Sequence, residues 1–224
     1  MASGTVFESA YVGNILTLKE KISKDSKIIS QKDGDGRLLI HWAALGGHEL
    51  IVNYLLENKS PVDPADETGM TPLILAASAG KETIVRTLIA NGADVNATSD
   101  GGHSSLQYAC SKNWKDIAQI LIANHADINI ADKRGATPLH RAASRGNTAV
   151  VQLLIDQGSE LNINPIDSCG NTPLHLACEE NRETEARLLV AHGARLDIQN
   201  KEKKTPLDLA QPSLARQLRK ASEQ

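Results

Sequence analysis

Thr137–Ala143 reads Thr-Pro-Leu-His-Arg-Ala-Ala and Thr172–Cys178 reads Thr-Pro-Leu-His-Leu-Ala-Cys, so one short phrase occurs twice in this chain. Weaker copies of the phrase begin at four other positions: Leu38, Thr71, Ser104 and Thr205. In chain order the six copies are separated by 33, 33, 33, 35 and 33 residues. Self-similarity at such a period indicates an array of one small structural unit whose core runs between neighbouring repeats.

Each phrase predicts the start of a helix. Threonine caps the free amide groups of the first turn, and proline suits the first helical position because its missing N–H has no partner there. Alanines follow in one register, where helices of adjacent repeats must pack closely: Ala43, Ala76, Ala109, Ala142, Ala177 and Ala210.

Glycines and asparagines predict the turns of each repeat. A Gly or Asn, the residue types that enter the left-handed conformation most easily, predicts the turn into a second helix at six positions: Asn14, Gly47, Gly80, Asn113, Gly146 and Asn181. Glycines two residues before the phrase predict hairpin turns: Gly69, Gly102, Gly135 and Gly170.

This repeat of a turn and two helices, with its Thr-Pro-Leu-His phrase, resembles the ankyrin repeat over almost the whole chain. The resemblance implies an all-α repeat solenoid, in which each repeat is a helix-turn-helix with a β-hairpin loop. We expect a single ankyrin-repeat domain, 1–224, of seven repeats whose outer two are atypical caps. The expected repeats are 1–32, 33–65, 66–98, 99–131, 132–166, 167–199 and 200–224.

Two irregularities depart from the repeat pattern. The 35-residue spacing predicts two extra residues, and the loop Ile163–Ile166 with Asn164-Pro165 is their expected place. Ile74 and Gln107 stand where other repeats carry a histidine, which we expect to brace backbone turns at His41, His140 and His175.

No motif in the sequence indicates an enzyme. Gln31–Gly36 is similar to a calcium loop, but Gln31 and Trp42 stand at ligand positions that need carboxylates, so a hairpin turn is the better interpretation. The repeat histidines lie in separate repeats and no Cys-x-x-Cys accompanies them, which argues against zinc. Motifs of serine hydrolases, metalloproteases and phosphate loops are missing. We expect no catalytic residue, no metal and no cofactor.

Composition narrows the class of partner. The formal net charge of −3 and the pI near 6.2 argue against nucleic acid, because that binding depends on Lys and Arg facing phosphates. The sequence has no apolar run of the roughly 18 residues that a membrane span needs, and Met1–Lys21 lacks a signal-peptide pattern. Three cysteines, Cys110, Cys169 and Cys178, cannot all pair and fit a reducing compartment.

The variable positions of the repeats form the predicted binding site. In an ankyrin fold the hairpin tips and the exposed sides of the first helices line a concave groove. The early repeats offer a largely acidic set: Asp33, Asp35, Arg37, Trp42, Asp66, Glu67, Met70 and Asp100. The central repeats offer a basic set: His103, Tyr108, Lys112, Trp114, Lys115, Lys133, Arg134, Arg141 and Arg145. Glu179 and Glu180 follow. This segregation predicts a protein partner with complementary patches, anchored on the apolar members of the set.

Within the ankyrin class the chain resembles the chaperones of proteasome assembly. The less general residues carry this resemblance: Trp42, Ser111-Lys112-Asn113, Arg141 and the stretch Asn200–Leu207. It implies a monomer of the cytoplasm and nucleus that binds the C-terminal domain of one AAA ATPase subunit of the proteasome base. The alternative is a regulator that binds a cyclin-dependent kinase. The resemblance also implies a retinoblastoma-type protein as a further candidate partner. Leu176–Glu180 spells Leu-x-Cys-x-Glu, a sequence that such proteins bind in extended form, but the repeat phrase itself generates these letters and the stretch is expected to be helical, so a structural role is the better interpretation.

Overall fold

The structure is a computed structural model that describes residues 5–221, in which helices follow one another in pairs joined by turns. The α-helices are α1 (Val6–Val12), α2 (Ile15–Lys24), α3 (Leu39–Gly46), α4 (Glu49–Glu57), α5 (Pro72–Ser78), α6 (Glu82–Ala90), α7 (Ser105–Lys112), α8 (Lys115–Ala123), α9 (Pro138–Arg145), α10 (Thr148–Ile155), α11 (Pro173–Glu179), α12 (Glu183–Ala191), α13 (Pro206–Leu209) and α14 (Pro212–Ala221). Short 3-10 helices occur at Ser26–Ser30 and Gly158–Glu160.

The described residues pack into two compact units. The N-terminal unit holds residues 5–105 with Ala123–Ala126, and the C-terminal unit holds Leu106–Ile122 with 127–221. In the N-terminal unit the first helices α1, α3 and α5 contact one another in series, and α4 packs against α6. In the C-terminal unit the series is α9, α11 and α13, with α10 against α12 and α12 against α14. The predicted all-α repeat array is confirmed, whereas its division into seven repeats stays a prediction.

The loops between helix pairs are hairpin-like turns without regular strands. Across residues 5–221 the backbone forms no β-strand and one isolated antiparallel bridge, between Thr98 and Ser104. None of the helices in this part of the chain has the length and apolar character needed to cross a membrane.

The repeat phrase starts helices as predicted. Thr71 Oγ1 accepts a hydrogen bond from the Ile74 amide at 3.3 Å, and Thr172 and Thr205 cap α11 and α13 in the same way. Pro72 occupies the first turn of α5, where its missing N–H leaves no bond unmade.

The repeat histidines brace the backbone of two consecutive repeats. His140 Nδ1 accepts from the Thr137 amide at 3.1 Å, so the proton of the neutral ring lies on Nε2, which donates to the Asn171 carbonyl at 2.9 Å. His41 and His175 make the corresponding contacts. Gln107 makes the donor contact of this pattern, because its Nε2 donates to the Ile130 and Ala136 carbonyls at 3.3 and 2.6 Å.

The predicted turn residues are left-handed with one exception. Gly47, Gly80, Gly146, Asn113 and Asn181 all have positive φ. The exception is Asn14, whose φ is −80° and whose side chain caps α2 by accepting from the Thr17 amide. Gly13, with φ of +86°, makes the turn instead. The prediction for Asn14 was wrong by one residue, because asparagine suits a helix N-cap as well as a left-handed turn.

The two-residue insertion lies before the loop Ile163–Ile166, not within it. Asn129 Nδ2 donates to the Glu160 carbonyl, and Asn164 Nδ2 donates to the Gly193 carbonyl. Asn164 therefore holds the same register as Asn129, and the extra residues enter the 3-10 turn Gly158–Glu160 after α10. The placement at Asn164-Pro165 was wrong because a sequence gap marks how many residues are added but not which turn absorbs them.

Asp63 stands in the asparagine register of the N-terminal unit with one oxygen unsatisfied. Asn96, one period later, donates from Nδ2 to the His125 carbonyl at 3.1 Å. Asp63 Oδ2 accepts from the Asp94 amide at 2.7 Å, but Oδ1 is buried without a hydrogen-bond partner among residues 5–221. Burial raises the pKa of this carboxyl group, and the charge of Asp94 adds to the rise while the hydrogen bond from the Asp94 amide opposes it. An amide at this position would supply the donor that a carboxylate lacks.

We predict that Asp63→Asn stabilises the protein by about 1 kcal/mol at pH 7, because it removes a buried orphan acceptor. The raised pKa of Asp63 means that the folded chain favours the protonated acid, so this stability is present in acid and is lost as pH rises through the folded pKa. The gap between variant and wild type should therefore shrink as pH falls toward 4. Urea unfolding at both pH values measures it. The exposed Asp35→Asn is the control, and a variant no more stable than wild type at pH 7 would contradict the prediction.

We predict that His140→Gln makes stability less sensitive to mild acid. Burial lowers the pKa of His140, although its bond to Asn171 and the charges of Asp167 and Asp132 oppose this. Stability that depends on the neutral ring is complete above the unfolded pKa of ~6.5 and falls as pH decreases toward the folded pKa. Glutamine, which already serves at Gln107, does not titrate.

The measurement is urea unfolding of wild type and variant at pH 7.5 and 5.5. The variant starts about 1 kcal/mol less stable because the flexible glutamine side chain loses more rotamer freedom on burial than the imidazole ring, but it should lose less on acidification. His192→Gln, at an exposed histidine, should follow wild type. Parallel losses in all three proteins would show that the buried ring does not govern acid sensitivity.

Candidate functional site

The hairpin tips of the repeats share one internal geometry. In the tip that starts at Asp66, the Asp66 amide donates to the Met70 carbonyl at 3.1 Å. The side chain Oδ1 of Asp66 accepts from the Thr68 and Met70 amides, each at 2.9 Å. Carboxylates or an amide do the same in other tips: Asp33, Asp132, Asp167 and Asn200. The first residue of each of these tips is therefore committed to holding the turn.

Successive tips are joined by backbone hydrogen bonds within each unit. In the N-terminal unit the Glu67 amide donates to the Asp35 carbonyl at 3.0 Å, and the Asp100 amide donates to the Thr68 carbonyl at 2.9 Å. In the C-terminal unit the Ser168 amide donates to the Arg134 carbonyl at 2.7 Å. These bonds fix the spacing between neighbouring tips and hold their side chains in a row.

The tips of the N-terminal unit carry an exposed row of carboxylates. Asp35, Glu67 and Asp100 are all exposed, and we name them the acidic tip surface. Asp33 is half-buried and Asp66 is buried. The five carboxylates that the sequence predicted as partner contacts in this unit therefore lie in two different environments. The three exposed carboxylates concentrate negative potential on one edge, which favours a basic partner surface.

Trp42 is the centre of a cluster behind this surface. Its Nε1 donates to Asp33 Oδ2 at 2.7 Å, and its ring meets Tyr11 edge-on with centroids 5.9 Å apart. The Arg37 guanidinium lies 5.0 Å from the Trp42 ring and donates to Asp66 Oδ2. Only 8% of Trp42 is exposed, so most of the ring is already used inside the fold. The prediction that it anchors a partner remains, but its contacts here link α1, α3 and two tips.

Asp33–Arg37 is a hairpin tip and not a calcium loop. The oxygens of Asp33 accept from the Asp35 and Arg37 amides and from the Trp42 indole. A carboxylate with these partners has little capacity left for a cation.

One tip of the C-terminal unit is basic. Lys133 and Arg134 are exposed at the tip that starts at Asp132, and we name them the basic tip surface. Behind them Arg141 Nη2 donates to Asp132 Oδ2, and the carboxylate of Asp132 is buried. Arg141 has the register of Trp42 three periods earlier, and each donates to the tip aspartate of its own repeat. Both residues were predicted as partner contacts from the sequence, but this shared role was not predicted, although their equal register is visible there.

The buried tip aspartates are held ionised by their donors. Burial raises the pKa of Asp66, but hydrogen bonds from Arg37, Thr68 and Met70 outweigh it and leave the pKa below its usual value. The pKa of Asp132 is lowered for the same reasons, with Arg141 as its guanidinium partner. Such carboxylates act as structural acceptors for the turn.

The other predicted contact residues occupy several positions. Met70 and His103 are half-buried at the ends of their tips, and Tyr108 is half-buried in α7. Lys112 and Arg145 are exposed in the last turns of α7 and α9, whereas Glu179 and Glu180 are exposed at the end of α11. Trp114 and Lys115 lie at the turn into α8, on the helix-turn side of the C-terminal unit, and not at a tip.

Two of the three cysteines are buried within the fold. Cys110 and Cys178 are buried, which raises the pKa of both thiols, that of Cys178 to about 12, and Cys169 is exposed. Leu176 and Cys178 of the Leu-x-Cys-x-Glu stretch lie within α11, as expected. Within residues 5–221 no three His, Cys, Asp or Glu side chains come together in a group that could hold a metal ion.

The chain is similar in sequence to ankyrin-repeat proteins. Models of ankyrin repeats match residues 7–99, 91–165 and 154–210. Proteins named 26S proteasome non-ATPase regulatory subunit 10 from Mus musculus and Homo sapiens are 44% identical over 63 residues. That alignment covers 28% of this chain and 27% and 28% of the two relatives, so it spans less than a third of their length.

Solved structures give the same fold over nearly the full chain. The human ASB11 ankyrin repeat domain superposes with a TM-score of 0.85 and 27% identity, covering 97% of both chains. The ankyrin repeat domain of Bcl-3 has a TM-score of 0.83 and 23% identity over 98% of this chain and 99% of that one, which bears on the fold alone.

We predict that the tip aspartates differ sharply in their effect on stability. Asp66→Ala should lower the free energy of unfolding by about 2–3 kcal/mol, because it leaves Arg37 and two tip amides without their acceptor. Asp100→Ala removes an exposed carboxylate of the same charge and should change it by less than about 0.5 kcal/mol. Urea unfolding at pH 7 compares the two, and equal losses would contradict the division into committed and exposed carboxylates.

Proposed function

Because this chain belongs to the ankyrin-repeat family, we propose that it is a chaperone for assembly of the base of the 26S proteasome regulatory particle. In this proposal it binds the C-terminal domain of one AAA ATPase subunit, protects it until assembly is complete and then leaves. The resemblance is to gankyrin, and the relatives named 26S proteasome non-ATPase regulatory subunit 10 support it over the aligned 63 residues. The chain acts as a monomer in cytoplasm and nucleus.

The separation of charge between the two units carries this proposal. The acidic tip surface consists of exposed carboxylates of three tips, and the basic tip surface consists of two exposed cations on the same structural element of another repeat. An enzyme would need convergent reactive groups, whereas these side chains stand apart on the outside of turns. Charged rows of this kind select and orient a protein partner more than they add affinity.

The buried clusters behind the tips support the same function. Asp33 with Trp42, and Asp132 with Arg141, hold the tips from inside, so the exposed charges are displayed on a rigid base. A binding surface that is already ordered avoids the entropic cost of ordering loops on association. In this proposal the exposed tip residues contact the partner, and the buried residues hold the tips in place.

A regulator of a cyclin-dependent kinase is the second candidate function. Charge separation alone would serve that partner as well, because the ankyrin fold hosts unrelated partners. The named relatives favour the proteasome candidate, since 44% identity over 63 residues is shared with proteins of that name.

We predict that reversing the exposed tip charges abolishes capture of a proteasomal ATPase from cell lysate. The acidic-tip variant is Asp35→Lys with Glu67→Lys, and the basic-tip variant is Lys133→Glu with Arg134→Glu. Each should reduce recovery at least about tenfold, which corresponds to ~1.4 kcal/mol of binding free energy. Wild type should recover one ATPase subunit, identified by mass spectrometry.

The control is Arg86→Glu on the exposed face of α6, where the guanidinium pairs with Glu82 of the same helix. All variants are first compared by circular dichroism and urea unfolding. Recovery of a cyclin-dependent kinase without any proteasomal subunit would replace the proposal by its alternative. If both tip variants recover the ATPase as well as wild type does, the tips are not the contact surface.

A further inference from the structure

We propose that the C-terminal unit has a binding site for a small, neutral aromatic molecule with one hydrogen-bond donor, of the size and chemistry of indole. The site is a pocket of about 210 Å³ beside the C-terminal ends of α10 and α12, which we name the corner pocket. The residues that line it are Ile155, Gly158, Leu161, Ile163 and His192. None of them belongs to a tip surface, so the inference does not depend on the proposed function.

The corner pocket lies where the two-residue insertion interrupts the regular repeat. In the next repeat the buried Ala194 closes the chain onto α12, because its amide donates to the Leu189 carbonyl at 2.9 Å. Ala93 closes α6 in the same way. Leu161 holds the register of Ala194, 33 residues earlier, but its amide donates to the Gly158 carbonyl at 3.2 Å. The bond that closes the other corners is therefore replaced here by one within the inserted turn.

The lining of the corner pocket is apolar and open on one side. Ile155 is buried, and Leu161 and Ile163 are half-buried. Gly158 is exposed, and a Cβ atom added there would meet no atom within 4 Å beyond its chain neighbours. An apolar cavity of about 150 Å³ is large enough to hold benzene. The larger volume of the corner pocket suits a fused two-ring aromatic molecule, which can enter on the side of Gly158.

His192 adds one hydrogen-bond acceptor to this lining. Its Nδ1 lies 2.8 Å from the Leu188 carbonyl, so Nδ1 carries a proton and Nε2 of the neutral ring is an acceptor. Nε2 forms no hydrogen bond to another group within residues 5–221. A ligand with an N–H or O–H group gives this nitrogen a donor, whereas the aliphatic side chains offer only apolar contact.

The charges at the entrance select against anions. Asp156 and Glu160 are exposed and lie two residues before and two residues after Gly158. A carboxylate on the ligand would be repelled by both side chains. Size, apolar lining, one acceptor and negative surroundings together point to a neutral aromatic ligand with a single donor.

The test is a titration of the full chain, with isotope-labelled isoleucine and leucine methyl groups, followed by NMR at pH 8. The probes are indole, benzothiophene, which has the same shape without the N–H donor, and indole-3-carboxylate. We expect indole to shift the methyl signals of Ile155, Leu161 and Ile163 with a Kd below about 1 mM. Indole-3-carboxylate should bind at least about fivefold more weakly. In His192→Phe the affinity of indole relative to benzothiophene should fall about fivefold, since the acceptor is lost.

Two variants close the corner pocket by different routes. Ile163→Phe adds bulk to the lining and should weaken indole at least about tenfold. Leu196→Phe, at the same register one repeat later, adds an aromatic ring outside the lining and should bind indole as wild type does. Deletion of Ser159 and Glu160 together with Leu161→Ala restores the regular repeat spacing and should abolish binding. Urea unfolding of each variant confirms that it is folded.

Three results would overturn the proposal. The first is the lack of a saturable shift of these methyl signals by indole up to about 1 mM. The second is equal indole affinity of wild type and both closing variants. The third is tighter, Ile163-dependent binding of a short peptide with one central tryptophan, which would identify a protein segment as the occupant.

Discussion

The fold depends on side chains that reach from one repeat to satisfy the backbone of the next. The loops between helix pairs form no β-strand in the described chain, so their carbonyls and amides need other partners. His41, His140 and Gln107 each donate to loop carbonyls of the following repeat, and Asn129 and Asn164 do so from the opposite end of the loop. Because a buried polar group without a partner costs about 1–3 kcal/mol, these bonds set the register of neighbouring repeats.

This constraint also decides which predicted site residues remain available to a partner. Asp66 and Asp132 satisfy the amides of their own tips and bind a guanidinium, so their chemistry is used within the fold. Glu67 and Lys133 follow these two aspartates by one residue, Asp35 follows the equivalent Asp33 by two, and all three are exposed. The alternation of committed and exposed residues along one tip explains why a rigid turn can carry a variable surface.

The helices and their caps could be predicted from the sequence because each depends on a few local residues. Thr172 and Pro173 start α11 whatever surrounds them. The left-handed turn at Gly13, expected at Asn14, and the insertion at Gly158–Glu160 could not be located, since either neighbour satisfies the same pattern. The burial of Trp42 was also hidden, because it depends on Tyr11 and Asp33, which approach it only after the helices pack. The sequence shows which residue types vary, whereas packing determines which of them are already bound.

The pair of equivalent positions Trp42 and Arg141 shows why surface charge can change while the fold does not. Both side chains donate to the tip aspartate of their repeat, one with an indole N–H and the other with a guanidinium. The turn has the same geometry in both repeats, so its structure is indifferent to whether the donor at this point brings a positive charge. Because local donors and acceptors such as these hold the tips, folding places little constraint on which residue types occupy the exposed tip positions. Their segregation into acidic and basic rows is therefore not required by the folding of the repeats, and selection by a binding partner is the physical explanation that remains.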